Sequence, residues 1–145
     1  QMIDTPIAGK EEYYMSEKFQ LCHYDWTIEN NVTNIIAKVN HIRRACSSLQ
    51  QTNNIKFLET GNDQLIAFYK WDVNKSDETI TVISLDAHHS QTGSVQLPMQ
   101  DLGIHQGQKI EVKDLVTNNS YNWYNEWNYI ELHPNLPFHI FKINK

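Results

Sequence analysis

The feature that most constrains this chain is a change of hydrophobic period near Leu49. Before it, Val32, Ile35, Ile36, Val39, Ile42, Cys46 and Leu49 recur at three- and four-residue steps, which predicts one amphipathic helix over 27–49. Thr27, Asn30 and Asn31 are candidate N-caps, and Lys38, Arg43 and Arg44 lie late, where cations favour the negative end of a helix. After it, Gln50 to Asn54 is polar and the period falls to two. Short runs rich in β-branched and aromatic residues follow at 55–60, 64–72, 78–86, 94–99, 109–116, 120–125, 127–133 and 138–143. Turn formers separate them: Gly61-Asn62-Asp63, Asn74-Lys75-Ser76-Asp77, Gly93, Gly103, Gly107, Pro134 and Pro137. About eight strands with no intervening helix predict a mainly β chain, an antiparallel sandwich or barrel.

The helix raises a question that the residues before it do not answer. Its apolar stripe needs a surface, and residues 1–26 have no sustained period from which to build one. They hold an acidic-aromatic cluster, Glu11-Glu12-Tyr13-Tyr14, then Ser16-Glu17-Lys18-Phe19, and read as a loop from the middle of a longer protein. A length of 145 residues with 40% hydrophobic and 20% charged residues suits one globular domain with a sizeable core. The net charge of −5 argues against an electrostatic footprint on nucleic acid or anionic membrane. No stretch is long and apolar enough to span a bilayer. Cys22 and Cys46 are two thiols in a reducing compartment or, alternatively, a single bridge.

Motifs that carry chemistry are sparse. His88-His89 are adjacent, so on extended backbone they point to opposite faces and are not expected to share a metal. No metal site and no cofactor are expected. Tyr121, Trp123, Tyr124, Trp127 and Tyr129 form an aromatic cluster. Such residues build sandwich cores or inter-domain contacts, and they can also stack on sugar rings. The sugar-platform reading falls on Trp123, Tyr124 and Trp127. Glycoside chemistry needs a pair of carboxyls at a set separation. The crowded acids Glu11, Glu12, Glu17 and Asp25 define no such pair. Nucleophile elbows, phosphate loops and zinc motifs are not found in the sequence.

Five segments carry a resemblance: GKEEYYMSEKFQLCHYDW (9–26), VNHIRRACSSLQ (39–50), NDQLIAFYKW (62–71), SLDAHHSQTGSVQLP (84–98) and DLVTNNSYNWYNEWNYIELHPNLPFHIFKI (114–143). Together they resemble the end of the bacterial α-1,4-glucan:maltose-1-phosphate maltosyltransferases of the α-amylase superfamily. The resemblance implies that a (β/α)₈ barrel precedes residue 1. Residues 1–50 would then be the barrel's last active-site loop and last helix, and 51–145 a C-terminal all-β sandwich of the α-amylase type. The helix stripe would cover a barrel strand.

The family's nucleophile and acid/base carboxyls lie on barrel strands outside this chain, so no catalytic residue is expected within it. The resemblance implies a donor-sugar contact for Lys18, with Glu17 and Phe19 beside it. Phe19 stands where the family has Tyr, which removes a hydroxyl; Ser84 and Ala87 are further departures, so a diverged member is expected. The parent would be a cytoplasmic glucan enzyme, with α-1,4-glucan or maltooligosaccharide as its partner and a homodimer as its expected assembly. Two rival readings stay open. One is the C-terminal domain of another α-amylase relative, such as a hydrolase, a trehalose-forming isomerase or a branching enzyme. The other is a free-standing carbohydrate-binding module.

Overall fold

The structure, a computed structural model, describes residues 31–145 together with 8–10, 21, 23, 25, 27 and 28. It divides into two compact units, Gln1–Ile36 and Ala37–Lys145. In the first, Asp25 Oδ1 accepts from the Thr27 amide at 2.9 Å and from the Thr27 hydroxyl at 2.6 Å. Those two bonds hold the Asp25 carboxyl below its usual range. Glu17, Lys18, Phe19 and Cys22 lie outside the described residues.

The helix α1 runs from Asn31 to Ala45, shorter than the expected 27–49, with Arg43 and Arg44 in its last turn. Thr27 is tied to Asp25 and does not sit at the helix start. At the other end Cys46 adopts extended backbone (φ −109°, ψ 114°), and Ser47–Leu49 form a separate 3₁₀ turn. Side-chain competition for the backbone explains the early stop. The Ser48 amide donates to Asp77 Oδ2 at 3.1 Å, and the Ser47 and Ser48 hydroxyls donate to the same oxygen. Lys142 pairs with the other Asp77 oxygen at 3.0 Å. The turn is thereby fastened to the sheet.

Eight strands follow: β1 (Ile55–Leu58), β2 (Leu65–Trp71), β3 (Glu78–Ser84), β4 (Gln91–Gln96), β5 (Ile110–Asp114), β6 (Ser120–Trp123), β7 (Trp127–Leu132) and β8 (Phe138–Asn144), with a four-residue helix α2 (Met99–Leu102) between β4 and β5. They form an antiparallel six-stranded sheet, β1-β2-β3-β8-β5-β6, and a two-stranded sheet, β4-β7. Alternation assigns the faces. Leu65, Ala67 and Tyr69 of β2, Ile80 and Val82 of β3, Phe141 and Ile143 of β8, and Ile110 and Val112 of β5 share one buried cluster with Val95, Ile130 and Leu132 of the small sheet. This is a sandwich core.

Only the fourth strand departs from expectation, running 91–96 instead of 94–99. Gly93, expected to break the chain, lies inside the strand because a neighbouring loop presses on it. A Cβ at Gly93 would stand 3.0 Å from the Asn62 Cβ and 3.0 Å from Leu65 Cδ1. The strand then ends before Pro98, which precedes α2, and Gly103 caps α2 in the left-handed region at φ 66°. On this side the Gly61 amide donates to Ser94 and the Gln96 amide to Glu59, so the two sheets are bridged at the β1 end.

The outer face of the large sheet is also apolar. Ile55, Phe57, Ile66, Phe68, Ile83, Phe138 and Ile140 alternate outward by the observed registers. Ile42 of α1 and Cys46 just after it cover the Ile140 end, with Leu49, Val116 and Phe138. The β1–β2 end is bare: Phe57 is 69% exposed and Ile55 40% exposed. Lys70 emerges on the same face, where its ammonium donates to the Gln51 carbonyl at 2.7 Å and Asn54 Oδ1 at 3.0 Å.

Candidate functional site

The aromatic cluster of residues 121–129 splits between the two sheets. In β6, Tyr121 pairs with Val112 and Trp123 with Ile110, so both rings point into the sandwich. Trp123 meets Phe141 edge-on at 5.1 Å, and Tyr121 meets the same ring at 6.1 Å. In β7, burial alternates, with Asn128, Ile130 and Leu132 inward and Trp127, Tyr129 and Glu131 outward.

The candidate platform Trp123, Tyr124 and Trp127 does not form one surface. Trp123 is 6% exposed and offers no ring face, because its position in β6 sends it to the core. Tyr124 and Trp127 are about half exposed, at 48% and 45%, on either side of the turn between sheets.

A cleft of about 440 Å³ opens instead between the edge of the large sheet and β7. Trp123 and Phe141 line its apolar floor, while Tyr121 and Tyr129 stand at its rim, 42% and 65% exposed. The polar side is built on Asp114, the last residue of β5. Asp114 is fully buried, and Thr117 (by hydroxyl and amide) and the Val116 amide donate to it. His139 Nδ1 lies 2.9 Å from Asp114 Oδ2. Burial pushes the Asp114 carboxyl up, but the bonds from His139, Thr117 and the Val116 amide outweigh it and hold it below the usual range. An ionised carboxylate only accepts, so His139 Nδ1 carries the proton and Nε2 is the nitrogen left for another partner.

Along β7 the polar groups continue. Tyr129 Oη reaches Glu131 at 3.5 Å, Glu131 lies 3.6 Å from His133 Nε2, and Ser90 Oγ meets His133 Nδ1 at 2.8 Å. Sequence reasoning singled out Tyr129 but not Asp114 and His139, which are 25 positions apart and meet only through β5–β8 pairing. The one local signal was Asp114 followed by Thr117, an Asx-type turn.

His88 and His89 occupy the loop after β3. Asp86 Oδ1 accepts from both their amides, at 2.8 and 3.1 Å, and Asp86 Oδ2 meets His89 Nδ1 at 3.1 Å. The His88 amide, the His89 amide and ring, and Gln91 hold the Asp86 carboxyl down at about 2. The pair is thus organised by a carboxylate within its own turn. Among the described residues, no helix is long and apolar enough to cross a membrane.

Comparison with known proteins agrees with this architecture. The chain is 35% identical over 97% of its length to the α-1,4-glucan:maltose-1-phosphate maltosyltransferase of Chlorobaculum tepidum. It is 33% identical over 99% to that of Methylacidiphilum infernorum, and 38% identical over 87% to that of Corynebacterium glutamicum. The chain spans about a fifth of the length of these curated relatives, from 19% to 22%. In fold it is similar to the acarbose-complexed α-amylase of Geobacillus thermoleovorans, with a TM-score of 0.62 at 13% identity over 84% of this chain and 25% of that one. A maltogenic α-amylase from Thermotoga neapolitana gives 0.60 at 13% identity over 81% of this chain and 27% of that one. The family pattern described as GLGE, C-terminal, matches residues 57–143, and the chain, with its sandwich of α-amylase C-terminal type, belongs to that family.

Proposed function

We propose that this chain is the non-catalytic C-terminal part of an α-glucan enzyme that moves maltosyl units from maltose 1-phosphate to the end of an α-1,4-glucan. Residues 1–50 would complete a catalytic barrel, and 51–145 would be the sandwich that closes and braces it. Glu17, Lys18 and Phe19 would lie on the loop that reaches the donor sugar. The reaction would retain configuration through a covalent glycosyl-enzyme intermediate, with both carboxyls supplied by the barrel. A cytoplasmic parent fits a sugar-phosphate donor, and a homodimer is its proposed assembly.

The observation that supports this reading is the bare outer face of the large sheet. Ile55, Phe57 and Ile66 are all at least 36% exposed on one patch of the second unit. Apolar area of this kind costs roughly 25 cal/mol per Å² left in water, so a stable chain covers it. The occupant we assign is the rest of a relative-length chain, since the relatives are about five times longer.

Two assays test this. The chain alone, given maltose 1-phosphate and glycogen, should release no phosphate, whereas the parent-length enzyme should. Phe57→Asp in the parent-length enzyme should reduce the yield of active protein at least tenfold, because the charge would be buried unpaired. Turnover traceable to this chain, or a fully stable and active Phe57→Asp enzyme, would refute the reading.

A further inference from the structure

We propose that the cleft between β6 and β7 is a binding site for a short α-glucan chain, separate from the catalytic centre. The choice of glucan rests on the function proposed above; the site itself rests on geometry.

The cleft exists because the sandwich is closed at one side only. Backbone bonds join the sheets where Glu59 and Gly61 meet Gln96 and Ser94. At the opposite side β6 ends the large sheet and β7 pairs only with β4, so neither outer edge has a neighbouring strand. The resulting volume, about 440 Å³, is in the range of small-ligand sites. It also lies away from the bare outer face, because Tyr121 and Trp123 point inward while Ile55, Phe57 and Ile66 point outward. Covering that face therefore leaves the cleft open.

The chemistry of the walls selects a neutral polyol. Two tyrosines at the rim, Tyr121 and Tyr129, leave aromatic surface in reach of the C–H face of a sugar, and the Tyr129 hydroxyl donates to Glu131 at 3.5 Å. The carboxylate of Glu131 accepts from paired hydroxyls. His139, 15% exposed, presents a ring held in place by the buried Asp114. The Nε2 of His139 has no hydrogen-bond partner among the described residues and is free to meet a sugar hydroxyl. A nucleic acid is disfavoured by Glu131 and by the net charge of −5. A purely apolar ligand would desolvate the Glu131 carboxylate and His139 Nε2 without giving either a new hydrogen bond.

The test is a titration of the chain with maltoheptaose, followed by Trp fluorescence and by calorimetry. We expect millimolar to sub-millimolar affinity, at least a tenfold rise in Kd for Tyr121→Ala and for Tyr129→Ala, and no change for Trp127→Ala. Circular dichroism should show all three variants folded, since the replaced rings are largely exposed. His139→Gln, which keeps a hydrogen-bonding side chain beside Asp114, should weaken binding with less effect on stability than His139→Ala. Three results would each overturn the proposal: no binding by the folded wild-type chain, tyrosine variants that bind as the wild type does, or equal affinity for cellohexaose. Phosphate release from maltose 1-phosphate by the parent-length enzyme is a separate readout. If it fails while maltoheptaose binds, the proposed reaction falls and the site stands; the reverse result removes the site alone.

Discussion

Replacing Asp114 by Asn tests how one buried carboxylate joins the β5–β6 turn to β8. In the wild type, Asp114 Oδ2 accepts from His139 Nδ1 at 2.9 Å, the Thr117 hydroxyl at 2.5 Å and the Thr117 amide at 3.2 Å. Oδ1 accepts from the Val116 amide at 3.0 Å and the Ile140 amide at 3.4 Å. Asparagine preserves the shape and the Oδ1 bonds but turns Oδ2 into a donor facing three donors. The Thr117 hydroxyl can rotate to accept, and His139 can shift its proton to Nε2. The Thr117 amide has no such freedom and is left against an NH₂ group. Hydrogen bonds to a charged group contribute about 1.5–3 kcal/mol each, and partial re-pairing leaves a net loss of about 3 kcal/mol. For a chain of this size that lowers Tm by roughly 6–12 °C.

Asp114→Ala removes the Oδ1 bonds as well and should cost more, about 4–5 kcal/mol. Urea unfolding followed by circular dichroism measures both. Because the folded-state pKa is depressed, the carboxylate stabilises fully above its unfolded value and loses that effect as pH falls. The gap between wild type and Asp114→Asn should therefore shrink below pH about 4. An Asp114→Asn loss under about 1 kcal/mol at pH 7, or a gap that widens on acidification, would refute the reasoning.

Three further outcomes are expected. The Asp86 carboxyl is held at about 2, so the amide protection of His88 and His89 should persist at pH 4 and fall away as the pH drops through about 2, read by hydrogen exchange; Asp86→Asn should abolish that dependence. Gly93→Ala should destabilise by about 1–3 kcal/mol in thermal denaturation, since both obstructing atoms belong to packed groups. Cys46 is 3% exposed and its thiol is pushed up by burial and by the nearby Asp77 charge, so its reaction with Ellman's reagent should be slow in native buffer and rapid in denaturant.

The strands were legible in the sequence because each depends on local information. Turn residues and alternation are properties of neighbouring positions, and seven of the eight strands lie where alternation places them. The exception, β4, turned on Gly93, whose meaning depends on Asn62 and Leu65 thirty positions away. The helix stripe was legible too, but its length was not, since Asp77 competes for the backbone of Ser48 from across the fold.

The aromatic residues mark the limit most clearly. Composition and spacing alone make 121–129 aromatic and alternating, on two strands joined by a short turn. They could not separate Trp123 from Trp127, because both are tryptophans on strands with the same local pattern. Strand pairing puts β6 and β7 in different sheets, which buries Trp123 and exposes Trp127. The same assignment leaves two strand edges apart, brings Asp114 to His139, and makes the cleft. Burial is a property of what lies opposite a side chain, and that is set by strand order, which no local spacing encodes.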